Sequence, residues 1–295
     1  MPNRKQHQRE VLAFLQKHFS YQSWEFSQPS GWGNETYFAH SGSQNYFIKL
    51  GAQISRYQAV ASIDLTAQVL TSGVLGDGTS IIVQPYIAGR KPSRSDYRNH
   101  LDKFAKAIDL LHHSPDVKQV LPPVSSDLYS FLGMEALIRL RKTWDRFKIQ
   151  VPKVAGSIDE SLYRLEFQIR DFIGMGLVAS HNDICNFNWL ITPDEKLYLL
   201  DLESMSLDDP ALDIGATLWW YYPPDLRGKF LEITGYLDDA EFERRMHVRM
   251  AMHCLNIMLP REGSFDEFDP SLFAESLDDF KAILAGQDNP EGYED

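Results

Sequence analysis

Cysteine is scarce in this chain: Cys185 and Cys254 are the only two in 295 residues. Two cysteines make neither a disulfide framework nor a four-ligand zinc site. Long apolar runs are missing as well, and no stretch approaches the roughly 20 apolar residues that a membrane-spanning helix needs. The opening MPNRKQHQRE is polar and lacks the apolar core of a secretory signal. A cytoplasmic protein with no membrane partner is the expectation. Basic residues are also in deficit, 29 Lys and Arg against 41 Asp and Glu, for a net charge of −12. A nucleic-acid-binding face carries a basic excess, so nucleic acid is not an expected partner. An acidic surface suits a cationic ligand, although solubility alone accounts for most acidic proteins. Repeats and low-complexity tracts are absent.

What remains is the composition of a globular protein, 43% hydrophobic, 24% charged and 12% aromatic. Val11, Leu12, Phe14, Leu15 and Phe19 recur at near-helical spacing and predict a helix over 6–19. Residues 23–50 then read as three short strands with turns at Ser30–Asn34 and Ser41–Gln44. A helix over 54–71 and a strand over 80–89, interrupted by Pro85 and ended by Gly89, follow. Beyond residue 90 helices dominate. Leu101, Phe104, Ala105, Ile108 and Leu111 form one core stripe, and 128–147, 158–176, 210–222 and 239–258 read as further helices. The only strand-like interruption is 188–203, and the acidic tail QDNPEGYED reads as frayed. The expected fold class is α+β: a small β-rich lobe over 1–88, ending in a hinge, and a larger helical lobe over 89–295.

The stretch SHNDICNFNWLI (180–191) places His181, Asp183 and Asn188 just before an apolar run. WLI, TPDE and KLYLLDLE then read as a β-hairpin, with Pro193 and Asp194 in its turn. Asn188 and Asp201 are equidistant from a turn centred between Asp194 and Glu195, which predicts that they lie opposite each other. An amide oxygen and a carboxylate held together are hard ligands suited to Mg²⁺, with phosphates and water completing the shell. Asp183 enters the same end of the hairpin, where a base for an attacking hydroxyl is wanted. H-x-D-x-x-x-x-N followed by an acidic strand end is the catalytic-loop pattern of phosphoryl transfer. Read in isolation, Asp183 and Asn188 are turn caps; the hairpin symmetry and Asp201 turn the reading toward function. Upstream, SGWGN carries Gly31 and Gly33, whose backbone could face phosphates, and Lys49 sits in the apolar strand YFIKL. VQPYIAG (83–89) offers backbone groups to an adenine edge. Asp209-Pro210 starts a helix, and Asp213 falls in its first turn. His112 and His113 read as surface histidines at the end of a helix.

The ordered set SGWGN, FIKL, VQPYIAG, SHNDICNFN, LLDLE and DDPALDIG resembles the aminoglycoside phosphotransferase and choline kinase superfamily over residues 25–225. The resemblance implies a bilobal, protein-kinase-like fold and transfer of the γ-phosphoryl group of ATP to a small-molecule hydroxyl. It implies Asp183 as the base, His181 as support of its loop, and Asn188 and Asp201 as Mg²⁺ ligands. It further implies that Lys49 contacts the α/β-phosphates and that Gln84, Tyr86 and Ile87 lie in the adenine-binding hinge. The acceptor it implies is a hydroxylated small molecule, cationic in its aminoglycoside-like and its choline- or ethanolamine-like forms. Glu203 could assist the metal or receive such a cation, or be a salt-bridged strand-end carboxylate. Trp219 and Trp220 could contribute to an aromatic cage, with core packing as the competing role.

Two features depart from the family pattern. Between Gly51 and Gly76 there is no glutamate to pair with Lys49, and Asp64 is the only acidic residue there. Leu-Glu follows Asp201 in place of the Phe-Gly of protein kinases, which favours a small-molecule kinase. A nucleotide-binding pseudokinase serving as an interaction module is the alternative. A metal-dependent hydrolase using His181 and Asp183 is weaker, because it leaves Lys49 and the glycine loop unused.

Overall fold

Why the β-rich part folds as a sheet is visible in its alternation, in the computed structural model that describes residues 4–20, 23–27, 35–260 and 268–295. Helix α1 (Arg4–His18) is followed by strands β1 (Glu25–Ser27), β2 (Thr36–Ser41) and β3 (Gln44–Leu50), helix α2 (Ile54–Ser62), and strands β4 (Thr71–Val74) and β5 (Ser80–Pro85). Then come α3 (Arg94–Asn99), α4 (Leu101–His113), α5 (Pro115–Val120), α6 (Tyr129–Phe147) and α7 (Pro152–Arg170). Short strands β6 (Val178–Ser180), β7 (Trp189–Ile191), β8 (Leu197–Leu199) and β9 (Ser206–Asp208) lead to α8 (Ala211–Tyr221), α9 (Pro224–Ile233), α10 (Phe242–Ile257) and α11 (Pro270–Leu284). The architecture is α+β, a sheet-bearing N-terminal region and a helical C-terminal part. No helix among the described residues is long and apolar enough to cross a membrane.

The chain forms two compact units. The first is Met1–Lys91 with Ser114–Val120 and Phe187–Ser204; the second is Pro92–His113, Leu121–Asn186 and Met205–Asp295. The division expected at residue 88 thus differs in two segments, since α5 and the β7–β8 hairpin group with the first unit.

In the first unit the sheet order is β1-β2-β3-β5-β4, antiparallel throughout. Side chains alternate between its faces. Tyr37, Ala39, Tyr46, Ile48, Leu50, Ile81 and Val83 point to one face and pack under Val11 and Leu15 of α1. Phe38, Phe47, Lys49 and Gln84 occupy the other face, because Phe47 pairs with both Phe38 and Gln84 in register. Lys49 therefore leaves the core side to its neighbours Ile48 and Leu50.

The helix expected over 54–71 ends at Ser62, and 71–74 is instead strand β4. Asp64 adopts a left-handed backbone, φ 62°, which halts the helix. The β7–β8 hairpin is also shifted from its expected register. Trp189 pairs with Leu199, and the Leu200 N–H donates to the Asn188 carbonyl at 2.8 Å, so Asn188 faces Leu200 and not Asp201. Glu195 at φ 61° makes a three-residue turn, which moves the symmetry centre by half a residue. Asp201, at φ 55°, leaves the ladder altogether.

In the second unit, α8 and α10 pack closely: a Cβ at Gly215 would lie 2.8 Å from Met246 Cγ. Leu101, Phe104, Ala105, Ile108 and Leu111 are all buried, as their periodicity predicts. Strand β6 pairs with β9, a two-stranded element that the sequence reading did not contain. The tail is not frayed. Ser95 N–H donates to the Asp295 carboxylate at 3.1 Å, Arg98 pairs with Glu294 at 2.9 Å, and Arg227 donates to the Tyr293 hydroxyl at 2.7 Å. Three basic or capping groups supplied from far upstream hold it, which local composition could not reveal.

Candidate functional site

The polar face of the first unit's sheet opens onto a cavity of about 440 Å³. Phe38 and Phe47 make an apolar wall, and Gln84, Tyr86 and Ile87 line it along the strand end. Lys49, Asn188 and Asp201 line the polar part of the same cavity. Gln84 is buried and donates to the Ala67 carbonyl at 2.5 Å, which fixes its amide. Tyr86 N–H continues the ladder by donating to the Asn45 carbonyl at 3.0 Å. Past it, Gly89 lies against β7: an added Cβ would meet the Ile191 carbonyl oxygen at 2.7 Å and Leu190 Cγ at 2.7 Å. That crowding comes from a reciprocal pair of hydrogen bonds between Arg90 and Ile191, at 2.9 and 2.8 Å. Glycine is required there by space.

Lys49 Nζ lies 2.7 Å from Asp201 Oδ1 and 2.5 Å from Glu203 Oε2. Burial alone would depress the Lys49 ammonium, but the Tyr57 oxygen and the Glu203 and Asp201 carboxylates outweigh it and hold the pKa above that of a free lysine. Burial, reinforced by the neighbouring Asp201 carboxyl, pushes Glu203 above the usual carboxylate range. Two buried residues of α2 support this group. The Arg56 guanidinium donates to the Leu202 and Glu203 carbonyls at 2.6 and 2.7 Å. The Tyr57 hydroxyl donates to Glu203 Oε1 at 3.0 Å, and its ring lies 5.7 Å from Lys49 Nζ. Asp64, the other acidic candidate, pairs with Lys196 at 2.6 Å instead.

The donor chemistry fits a hard cation. Asn188 and Asp201 bring an amide and a carboxylate to one cavity, and no group of three or more His, Cys, Asp or Glu placed to hold a metal ion occurs among the described residues. Two protein oxygens with phosphates and water as the remaining ligands is the pattern of Mg²⁺, not of an all-protein cage. Gly31 and Gly33 lie outside the described residues.

His181 and Asp183 belong to the second unit, on the loop after β6. Buried Asp213 organises that loop, accepting from the His181 N–H at 2.7 Å and the Asn182 N–H at 2.8 Å. It also bonds His112 Nε2 at 3.1 Å, so His112 is a fully buried brace and not a surface histidine. His113 is exposed, as expected. Burial raises the Asp213 carboxyl, but His112 and the loop contacts overcome that and hold it below the usual range. Asn182, at φ 63°, donates to Ser206 Oγ at 2.8 Å, tying the loop to β9. Asp208 and Asp209 serve structure through Arg249 at 2.6 Å and Arg245 at 3.1 Å.

A second cavity, also about 440 Å³, lies within this unit. Asn186 of the same loop, Trp220, Tyr221 and Asp279 line it, with the tail carboxylates Glu291 and Glu294. The Asn186 N–H donates to the Tyr221 hydroxyl at 2.7 Å, and Tyr221 stacks on Tyr97 at 3.9 Å between centroids. Burial, and then the charges of Glu291 and Asp278, push the Asp279 carboxyl up to about 6. Arg94 pairs with Glu291 at 2.5 Å, which leaves acid in excess around the cavity. Trp219 is buried among core side chains and does not line it. Arg56, Tyr57, Phe38, Phe47 and Asp279 were not singled out as site residues from sequence, and the tail was read only as frayed. Only Phe38 and Phe47 carried a usable signal, since they alternate onto the Lys49 face.

A sequence model described as a phosphotransferase enzyme family matches residues 27–247, well over half of the chain. Several solved structures share the fold. A choline kinase from Streptococcus pneumoniae aligns with TM-score 0.59 at 16% identity, covering 95% of this chain and 99% of that one. A spectinomycin phosphotransferase in complex with ADP and spectinomycin aligns with TM-score 0.60 at 15% identity, covering 97% and 95%. The GDP complex of an aminoglycoside 2'-phosphotransferase aligns with TM-score 0.66 at 14% identity, covering 96% and 99%.

Proposed function

The chain belongs to the phosphotransferase enzyme family, and from that membership we propose that it transfers the γ-phosphoryl group of ATP to a hydroxyl of a small, cationic acceptor. The observation that carries this reading is the first unit's cavity, where an apolar wall and the Pro85–Ile87 strand end adjoin Lys49, Asn188 and Asp201. The wall and strand end suit a flat base, and the charged part suits phosphates. Similar folds in complexes with ADP and with GDP support a nucleotide there.

In the proposed reaction the Asp183 carboxylate accepts the proton of the acceptor hydroxyl. The hydroxyl oxygen forms the new P–O bond as the bond between γ-phosphorus and the β-phosphate oxygen breaks, and ADP departs with the electron pair. His181 and Asn182, fixed by Asp213, hold Asp183 on its loop. Lys49 would contact the α/β-phosphates, while Asn188 and Asp201 would hold Mg²⁺. Mg²⁺ held there would supply charge neutralisation to the transferring phosphoryl group. The acidic cavity with Trp220 and Tyr221 suits an ammonium group, through carboxylate charge and an aromatic face. Aminoglycoside-like and choline- or ethanolamine-like compounds share that chemistry.

A coupled ADP-release assay across such acceptors and thiamine, with neutral polyols as controls, tests the reading. Turnover should be confined to hydroxylated amines and hydroxylated organic cations. Asp183→Ala should lower kcat at least a hundredfold, the scale of a lost general base, with binding of a non-hydrolysable ATP analogue intact. Strong transfer by that variant would sink the assignment, and nucleotide binding without turnover on any acceptor would favour the interaction module.

A further inference from the structure

A lysine that orients phosphates needs a fixed counter-ion, and the helix that usually supplies it in the resembled family has no carboxylate here. Facing Lys49 from α2 is Tyr57, preceded by Arg56, and Asp64 is engaged by Lys196 beyond the helix end. Two carboxylates touch Lys49 Nζ instead, and they are not equivalent. The Asp201 side chain is 51% exposed and lines the cavity; that of Glu203 is 27% exposed and does not. Both oxygens of Glu203 accept from the Tyr57 hydroxyl, at 3.0 and 3.1 Å. Its main chain is clamped by Arg56, whose buried guanidinium bonds two successive carbonyls.

We propose that Glu203 is the counter-ion that positions Lys49, taking over the task of the absent helix glutamate, and that Arg56 and Tyr57 of α2 hold Glu203 for it. The helix still sets the lysine's direction, but through one intervening carboxylate on the turn after Asp201. Lys49 keeps a partner when Asp201 turns to a cation, because Glu203 is anchored independently of the cavity. The role in phosphate binding rests on the nucleotide reading proposed above; the pairing itself does not.

The test therefore has two arms. In nucleotide-free protein, thermal unfolding of Lys49→Met, Glu203→Gln and the double variant forms a double-mutant cycle. The double variant should lose clearly less in Tm than the two single losses together, and simple additivity would overturn the pairing whatever the protein binds. In the second arm, calorimetry compares AMPPNP with adenosine. Glu203→Gln should weaken AMPPNP roughly tenfold or more, the scale of one charge-assisted hydrogen bond, with adenosine affinity unchanged. Equal weakening of both ligands marks a merely structural role and overturns the proposal. Adding Tyr57→Glu to Glu203→Gln returns a carboxylate to the helix and should restore most of the AMPPNP affinity; no recovery counts against the proposal. If Glu203→Gln does not fold, Tyr57→Phe replaces it, removing only the hydroxyl that fixes Glu203. It should weaken AMPPNP two- to fivefold, a few tenths to one kcal/mol on the tenfold-per-1.4 scale, and unchanged affinity would refute the supporting role of α2. If wild type binds neither ligand, the nucleotide reading has failed and the phosphate role falls with it, while the cycle still decides the pairing.

Discussion

Replacing Asp213 by alanine isolates what holds the loop that bears Asp183. The carboxylate is fully buried and accepts two backbone N–H groups, at 2.7 and 2.8 Å, besides the His112 contact at 3.1 Å. Truncation leaves the His181 and Asn182 amides without that acceptor. A hydrogen bond to a charged group contributes about 1.5–3 kcal/mol, and a stranded buried donor costs on the order of 1–3. The loss at the loop is therefore about 3–5 kcal/mol, a large part of the 5–15 kcal/mol that keeps a typical domain folded. Because a chain of two units need not unfold in a single step, the assay is local: hydrogen exchange over a peptide spanning 178–186, with kcat and nucleotide affinity measured alongside. Asp213→Ala should lower protection of the two amides at least tenfold and reduce kcat, with AMPPNP affinity within twofold of wild type. Asp213→Asn, which keeps one acceptor oxygen, should fall between. Unchanged protection in the alanine variant would refute the assignment of Asp213 as the loop's anchor.

Two further outcomes follow from the first unit. Gly89→Ala must displace either the strand end or β7, because its Cβ would lie 2.7 Å from the Ile191 carbonyl oxygen. An overpacking loss of about 1–3 kcal/mol should appear in thermal unfolding together with weaker AMPPNP binding, and normal values of both would refute the close approach. His7 bonds Asp77 at 2.8 Å and Glu35 at 2.5 Å, and those two acceptors raise its pKa against the opposing effect of burial. A raised histidine contributes stability that is fully present below its unfolded pKa, near 6.5, and lost as pH rises through the folded value. The Tm difference between wild type and His7→Gln should thus be largest near pH 5.5 and shrink toward pH 9; a pH-independent difference would refute the ion-paired role.

What could be read from the chain beforehand divides along physical lines. The helical stripe of α4, the strand bearing Lys49 and the loop–hairpin spacing of 181–201 are local patterns, and local patterns survive folding. The hairpin's existence was legible, but its register was not, because a left-handed Glu195 carries no marker that distinguishes a three-residue from a four-residue turn. His112 looked like a helix-end surface residue since its partner, Asp213, lies about a hundred residues away in sequence. The Lys49 partner was hidden for the same reason: Glu203 is separated from it by 154 positions. Ion pairing at long range leaves no periodic trace, and the tail's anchors at Arg94, Arg98 and Arg227 were invisible on the same grounds.

The reciprocal bonding of Arg90 with Ile191 joins the strand end bearing Tyr86 and Ile87 to the hairpin that lies between Asn188 and Asp201, within one compact unit. On the proposed reading, the base and the metal-bearing phosphates of the nucleotide are then gripped by a single piece of protein, much as a calliper grips both ends of a rod. The span between those grips is set where the Arg90–Ile191 bonds tie the segment after β5 to β7. Such a gauge reports length before it reports identity: a nucleotide short of phosphates can seat its base but fails to reach the Asn188–Asp201 end.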